Sequence, residues 1–476
     1  MRYVSTRNRA ESVSPSQAVL RGLAPDGGLY VPEKIPSADL GEAELRSFSY
    51  DMIAARVIGR LLPDFGEDVI ARCVSGGYEG KFDVPQRVAL KEAGGRRLLE
   101  LWHGPTSAFK DMALCVLPRL LTAAQRMNGE SREAVILTAT SGDTGKAALA
   151  GFADVPGTRI MVFYPVDGVS AVQKAQMQTQ RGGNVCVCAI EGNFDDAQRG
   201  VKQAFEEIRT DRAVLSSANS INIGRLAPQV AYYFYAYGRL LEEGSVSWGD
   251  PVSFTVPTGN FGDILAGWLA KRMGLPVGKL RCASNANRVL TDFLSTGVYD
   301  RRRELALTQS PSMDILVSSN LERLLFFASG MDDRLTAELM ERLARDGVYE
   351  APAGVMESIR ADFGCGCADD ARAAEEIKKL WEKDGYLMDT HTAVAFACSE
   401  PGDVVLSTAS PFKFAPAILA ALGRPVPESG FEAMDELSAF TGIPVPPGLA
   451  ELRSLPLLHR DVIDRCGITA YIKGRI

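Results

Sequence analysis

The residues best suited to chemistry lie in short polar loops that follow apolar strands and precede apolar helices. The first loop, His103 to Met112, places Lys110 after a Gly-Pro turn and ahead of the apolar run Met112 to Leu121. An amine held between Phe109 and that run would be partly desolvated, which lowers its proton affinity and makes it a nucleophile toward an aldehyde. A surface lysine with its stem laid over apolar ground is the competing reading. The second loop, Thr138 to Gly145, stands between a strand and the helical pattern Lys146 to Phe152. Successive N–H groups at a helix start, joined by the Ser141 and Thr144 hydroxyls, make a cradle for a carboxylate or phosphate. A turn that only caps the helix is the alternative. Gly145-Lys146 does not end a nucleotide-binding P-loop. Thr140 stands where the earlier glycine is required, and Ala147 where a magnesium-binding hydroxyl is.

Three further segments join them. Thr258 to Asp263 follows the strand Val252 to Pro257, and its glycines at 259 and 262 let backbone N–H groups converge on an anion at a helix start. An ordinary turn fits this loop as well when it is read alone. Leu406 to Lys413 offers the Thr408 hydroxyl at a strand end. Asn219 to Arg225 supplies amides, the Ser220 hydroxyl and one guanidinium, a set suited to a phosphate dianion, with Arg225 capping a structural loop as the alternative. Two anion cradles, a nucleophilic lysine and an Arg/Asn pocket suit a phosphorylated aldehyde cofactor and a substrate carrying a carboxylate and a second phosphate. Pyridoxal phosphate with a phosphorylated amino acid meets each requirement.

Such loops need strands to aim them. Ala134 to Thr140, Arg159 to Tyr164, Val185 to Ile190, Val252 to Pro257 and Val404 to Thr408 read as strands alternating with helices, which predicts parallel sheets covered by helices. In open parallel sheets, ligands sit at the carboxyl ends of the strands. The first hundred residues read as short helices and turns, with Met52 to Leu62 helical and a strand after Pro25. Residues 331–382 read as a surface helical elaboration, and the tail after Pro425 as proline-rich and irregular.

Composition sets the outer bounds. The chain has 476 residues, enough for about three domains, and a net charge of -7 that argues against a nucleic-acid partner. The longest basic run, Arg301 to Arg303, ends at Glu304 and reads as a solvated face. Nine cysteines, several in apolar runs, read as reduced thiols of a cytosolic protein. Cys365 and Cys367 lack a second pair or a nearby histidine, so no metal site is expected. No signal peptide or membrane span is expected either.

These motifs resemble, in order, those of the threonine synthase family. The resemblance covers Tyr3 to Arg7 and Gly22 to Pro32, then His103 to Lys110, Thr140 to Gly145, Asn219 to Arg225, Gly259 to Asp263, Ser284 to Asn287, Asp389 to Thr392 and Ser407 to Phe414. It implies an α/β fold of the tryptophan-synthase β type (fold type II), in which two parallel-sheet domains enclose a pyridoxal-phosphate cleft beside a mainly helical N-terminal domain. The expected units are residues 1–98, a large unit of 99–130 with 240–476, and a small unit of 131–239. The resemblance also implies Lys110 as the cofactor's attachment point and sole proton-transfer catalyst. Gly259, Asn260, Phe261 and Gly262 would hold the cofactor phosphate, Asp263 would be a further cofactor-binding residue, and Thr408 would face the pyridine nitrogen. Ser141 and Thr144 would lie near the substrate carboxylate, with Asn219, Ser220 and Arg225 at its phosphate. The implied reaction converts O-phospho-L-homoserine and water to L-threonine and phosphate, in a cytoplasmic monomer or homodimer. A phospho-lyase releasing 2-oxobutyrate from the same substrate is the alternative. Lys146, Thr390 and Ser410 depart from the family's usual residues.

Overall fold

Two parallel sheets carry the loops identified above. The structure, a computed structural model, describes residues 1–140, 142–167 and 169–476. The larger sheet has six strands in the order Phe363–Cys367, Val277–Ser284, Val252–Pro257, Val404–Ser407, Arg96–Glu100 and Ala89–Ala93. All its pairs are parallel except the last, a hairpin. The smaller sheet has five parallel strands in the order Asp461–Asp464, Val185–Glu191, Thr158–Pro165, Glu133–Ala139 and Ala213–Ser216. Central strands such as Glu133–Ala139 are nearly continuous apolar runs because helices cover both faces.

The N-terminal region combines a three-stranded antiparallel sheet, Tyr3–Ser5, Ser12–Val13 and Tyr30–Pro32, with the helices Pro15–Arg21, Tyr50–Leu61 and Glu67–Tyr78. Helix Ile223–Glu242 runs from the small sheet into the main core and is buried on nearly every face, with Tyr232, Tyr233 and Tyr237 inaccessible to solvent. That core joins it to N-terminal residues such as Ile53 and Tyr78 and to larger-sheet residues such as Phe254 and Leu280.

Several expectations need correction. Residues 331–382 do contain the helices Asp333–Asp346, Ala353–Asp362 and Asp370–Asp384, but Phe363–Cys367 forms the edge strand of the larger sheet. Gly364 and Gly366 leave one face of that strand without side chains, so it carries no alternating apolar signal. The tail is not irregular throughout. Asp461–Asp464 extends the smaller sheet beside Val185–Glu191, and helix Ile468–Lys473 packs its Ile468 against Gly200 of helix Phe194–Glu207. Assigning all of 240–476 to the large unit therefore misplaces this segment. The expected edges at 98 and 239 also cut through strand Arg96–Glu100 and helix Ile223–Glu242, and Ala89–Ala93 belongs to the larger sheet. Among the described residues, no helix is long and apolar enough to cross a membrane.

Candidate active site

Lys110 is set in place from three directions. His103 lies 2.7 Å from Asp83 through Nδ1 and 3.1 Å from Glu100 through Nε2, and its ring stacks on Trp102. Burial lowers the proton affinity of His103, but the hydrogen bonds to Asp83 and Glu100 outweigh it and raise the pKa to about 9. The imidazolium is thus a clamp at the root of the loop. Asp111 closes the turn by accepting from Thr106 N (2.8 Å) and Thr106 Oγ1 (2.7 Å). Phe109 N donates to Thr408 O at 2.8 Å, which ties the lysine loop to the end of strand Val404–Ser407.

The Lys110 amine is buried, with 8% of the residue exposed. That rules out the surface-lysine reading. Its Nζ lies 4.8 Å from the centre of the Phe109 ring, 3.4 Å from Ser312 Oγ and 3.8 Å from Asp143 Oδ2. Burial is the main effect on its proton affinity; Asp143 opposes it, while Lys413 and Arg225 reinforce it, and the pKa falls to about 8. About a tenth of the amine is therefore unprotonated at pH 7, far more than for an ordinary lysine.

The loop Thr258 to Asp263 is built as an anion cradle. Ser318 Oγ donates to Gly259 O (2.7 Å), and Asn320 donates to Asn260 O through N (3.2 Å) and Nδ2 (3.0 Å). These bonds occupy the carbonyls and leave amides at the start of helix Gly262–Arg272 free to face an anion. Phe261 takes a left-handed conformation at the helix cap (φ 59°). A methyl at Gly259 would sit 2.7 Å from Ser312 O, and one at Gly262 would fill space beside Asn320 and Ser220. Asp263 contributes differently from the expectation, because its carboxyl accepts from the hydroxyls of Tyr232 and Tyr233. Burial pushes its pKa up to about 7 against those hydrogen bonds, and its Oδ2 has no partner. Only its backbone N–H remains for an anion.

The other cradle is partly self-satisfied. Thr140 Oγ1 accepts from Gly142 N (3.0 Å) and Gly145 N (2.9 Å). Thr144 is half-buried in the first turn of helix Asp143–Phe152, and Ser141 lies outside the described residues. Asp143 is buried and accepts from Lys413 Nζ at 2.5 Å and Gln173 Nε2 at 3.0 Å. Burial resists its ionisation, but Lys413 and Lys110 prevail and hold the carboxyl well below the usual carboxylate range.

In the fifth segment, Asn219 is exposed, Ser220 sits half-buried beside Gly262, and Asn222 caps the helix by accepting from Gly224 N. Arg225 is 5% exposed and donates through Nη1 to Ala218 O at 2.7 Å. The loop-capping contact is real, but among the described residues Nε has no partner and no carboxylate pairs with this guanidinium. Burial alone lowers its pKa to about 10. Thr408 is buried at the sheet end, as placed from sequence.

Sequence reading passed over several residues that shape this centre. Lys413 and Asp143 lie in two of the loops described above, where sequence alone assigns them no role. Ser312 and Asn320 come from a connection that carried no motif signal. His391 accepts from Ser312 N at 3.1 Å, with its Nδ1 2.9 Å from Asp389, so the motif Asp389 to Thr392 holds the turn that faces Lys110.

The chain's relatives carry the same architecture. The family described as "Threonine synthase N terminus" matches residues 2–78, and "Pyridoxal-phosphate dependent enzyme" matches residues 97–406. The threonine synthase of Pseudomonas aeruginosa is 39% identical, over 88% of this chain and 90% of its own. Human threonine synthase-like 1 is 37% identical over 94% of this chain, which spans only 62% of that protein's length. The crystal structure of pyridoxal-phosphate-bound threonine synthase from Brucella melitensis superposes with a TM-score of 0.89 at 38% identity, covering 100% of this chain and 99% of that one. The yeast threonine synthase structure gives 0.88 at 31% identity, covering 100% and 98%. A desolvated lysine between two parallel sheets, a glycine cradle at a helix start and relatives of this similarity along the whole chain place it in the threonine synthase family of pyridoxal-phosphate-dependent enzymes.

Proposed function

We propose that this chain is a threonine synthase, converting O-phospho-L-homoserine and water to L-threonine and phosphate. The observation that carries this reading is a second buried cation. Arg225 stands without a carboxylate at the same centre as the amine of Lys110 and the Gly259–Gly262 cradle. One cradle suits the phosphate of pyridoxal phosphate; the guanidinium suits a second phosphate on the substrate.

The residues present fit the cofactor. Lys110 would be its attachment point, the amides from Gly259 to Asp263 would hold its phosphate, and Thr408 would face its ring nitrogen. When bound, pyridoxal phosphate supplies electron withdrawal, which acidifies protons on the α and β carbons of an attached amino acid. Lys110, as free amine, is the base placed to take a proton from Cα and Cβ and to return protons at Cγ and Cα. Its lowered proton affinity suits both directions of transfer. Thr144 and Ser141 would orient the substrate carboxylate, while Asn219, Ser220 and Arg225 would bind and release its phosphate. Histidine is not required for these steps. His103 and His391 are engaged in holding loops. The free cysteines support a cytoplasmic location for the enzyme, as monomer or homodimer.

Incubating the purified chain, loaded with cofactor, with O-phosphohomoserine tests the reading. Threonine and phosphate should appear in equal amounts, and Lys110→Ala should lose both turnover and the near-visible absorption of the bound cofactor. Accumulation of 2-oxobutyrate without threonine would refute the synthase assignment.

A further inference from the structure

Asp143 serves two lysines unequally. Its Oδ1 accepts from Lys413 Nζ at 2.5 Å and from Gln173 Nε2 at 3.0 Å, whereas its Oδ2 stands 3.8 Å from Lys110 Nζ, beyond hydrogen-bond reach. Lys413 has no exposed side-chain surface, and its second partner is Thr106 O at 3.2 Å. Thus one buried cation has two close acceptors, whereas among the described residues the other has only the Ser312 hydroxyl at 3.4 Å. We infer that Lys413 is a positioning residue: by holding the Asp143 carboxylate to itself, it denies Lys110 a full counter-ion and keeps that amine free to react.

The groups around Lys110 agree with this assignment. Asp143 faces it from helix Asp143–Phe152, Lys413 from the turn Pro411–Phe414, Arg225 from helix Ile223–Glu242 and Asp263 from helix Gly262–Arg272, with Asp111 adjacent in the chain. Lys413 and Arg225 disfavour a proton on Lys110; Asp143 and Asp111 favour one. Asp263, with its own affinity raised by burial, brings less than a full negative charge at neutral pH. Among the described residues Asp143 is the one carboxylate in ionic contact with Lys110, and its closest ionic contact is with Lys413. Lys413 and Asp143 lie 270 positions apart in sequence and meet because the larger sheet's strand end abuts the first helix of the smaller sheet.

The inference rests on Lys110 being the aldehyde-accepting amine, and the test separates the two. The full chain, freed of cofactor, is labelled with acetic anhydride across about pH 6 to about pH 10, and Lys110 acetylation is followed by peptide mass. Lys413→Met should move the midpoint of the labelling curve upward by about one pH unit, slowing Lys110 labelling about tenfold at neutral pH, because the released carboxylate then pairs with Lys110. Lys413→Arg should restore the original midpoint, and Asp143→Asn should move it down. The pH profile of kcat/KM in the reloaded enzyme should follow the same order. A folded Lys413→Met protein with an unmoved midpoint overturns the inference. If that variant does not fold, Lys413→Gln, which removes the charge but keeps a polar group near Thr106 O, should raise the midpoint in the same direction by up to about one unit; no movement there overturns the inference equally. Cofactor uptake by the unaltered chain reports on the Lys110 assignment independently of these shifts.

Discussion

Replacing Arg225 with methionine should make the protein more stable and the enzyme far worse. The guanidinium is buried with a single carbonyl partner, and burial lowers its pKa from the ordinary value to about 10. At 1.36 kcal/mol per pH unit, that depression corresponds to a penalty of about 3 kcal/mol. The sign follows from proton linkage: the native state sheds this proton more readily than the unfolded chain, so the penalty is complete below pH 10 and fades only as pH rises through that value. Methionine removes it while filling similar volume. The orphaned Ala218 carbonyl costs about 1–3 kcal/mol in return, which leaves a net gain of about 1 kcal/mol at pH 7. Catalysis should move the other way. Losing a buried charged partner for the substrate phosphate costs about 2–5 kcal/mol, a fall in kcat/KM of about thirtyfold to several thousandfold. Urea unfolding with and without inorganic phosphate reads the first effect. Phosphate at tenfold its dissociation constant should stabilise the unaltered protein by about 1.4 kcal/mol and the variant hardly at all. A variant that loses 2 kcal/mol or more (on the order of a lost structural contact) yet keeps its phosphate stabilisation would show that Arg225 is a loop cap and refute the reasoning.

Three other substitutions test the packing and a further buried lysine. Lys146, whose pKa burial pushes down to about 8 and whose amine donates to Gln180 Oε1 at 2.6 Å, should stabilise the protein by about 1–3 kcal/mol at pH 7 when changed to methionine. In the unaltered protein, stability should climb as pH rises from about 8 toward the ordinary lysine range, because the unfolded chain holds these protons longer; Lys146→Met should flatten that climb in urea titrations at pH 7 and pH 9.5. Gly151→Ala would place a methyl 2.0 Å from Leu114 O and should cost about 3 kcal/mol in thermal or urea unfolding. Gly59→Ala, in helix Tyr50–Leu61 with nothing within 4 Å, should instead gain up to about 1 kcal/mol.

The lysine loop, the glycine cradle and the central strands were legible because each is written in adjacent residues: an apolar run, a turn signal and then a helical period. What escaped was written across distance. Lys413 and Asp143 each look like an ordinary charged residue in a loop, and only the meeting of the two sheets makes them a buried pair. Ser312 and Asn320 act through backbone carbonyls and hydroxyls that follow no period. The edge strand Phe363–Cys367 alternates glycine with exposed cysteine, and Asp461–Asp464 is four mostly exposed residues; neither buries a face, so neither carries the pattern that marks a strand. The Arg225 alternatives could not be separated in sequence, since a cap and a phosphate ligand use the same residue; the structure shows the capping bond to Ala218 O together with an Nε that has no partner among the described residues.

The return of the tail to the smaller sheet has a mechanical meaning. The chain passes between the two sheets after helix Leu117–Met127, again after strand Ala213–Ser216, and a third time before strand Asp461–Asp464. A body moored at one or two points can swing or twist freely, whereas three separated moorings leave mainly a rocking motion about the line joining the stiffest two. Helix Ile223–Glu242, continuous with the second mooring, is sunk in the main core, and the stretch ahead of the third is anchored as well, with Leu449 and Leu452 buried in the cluster that includes Leu98 and Val405. The small sheet is thereby joined to the rest of the molecule at three separated points instead of hanging from a single linker, which fixes the side from which Asp143 faces Lys110.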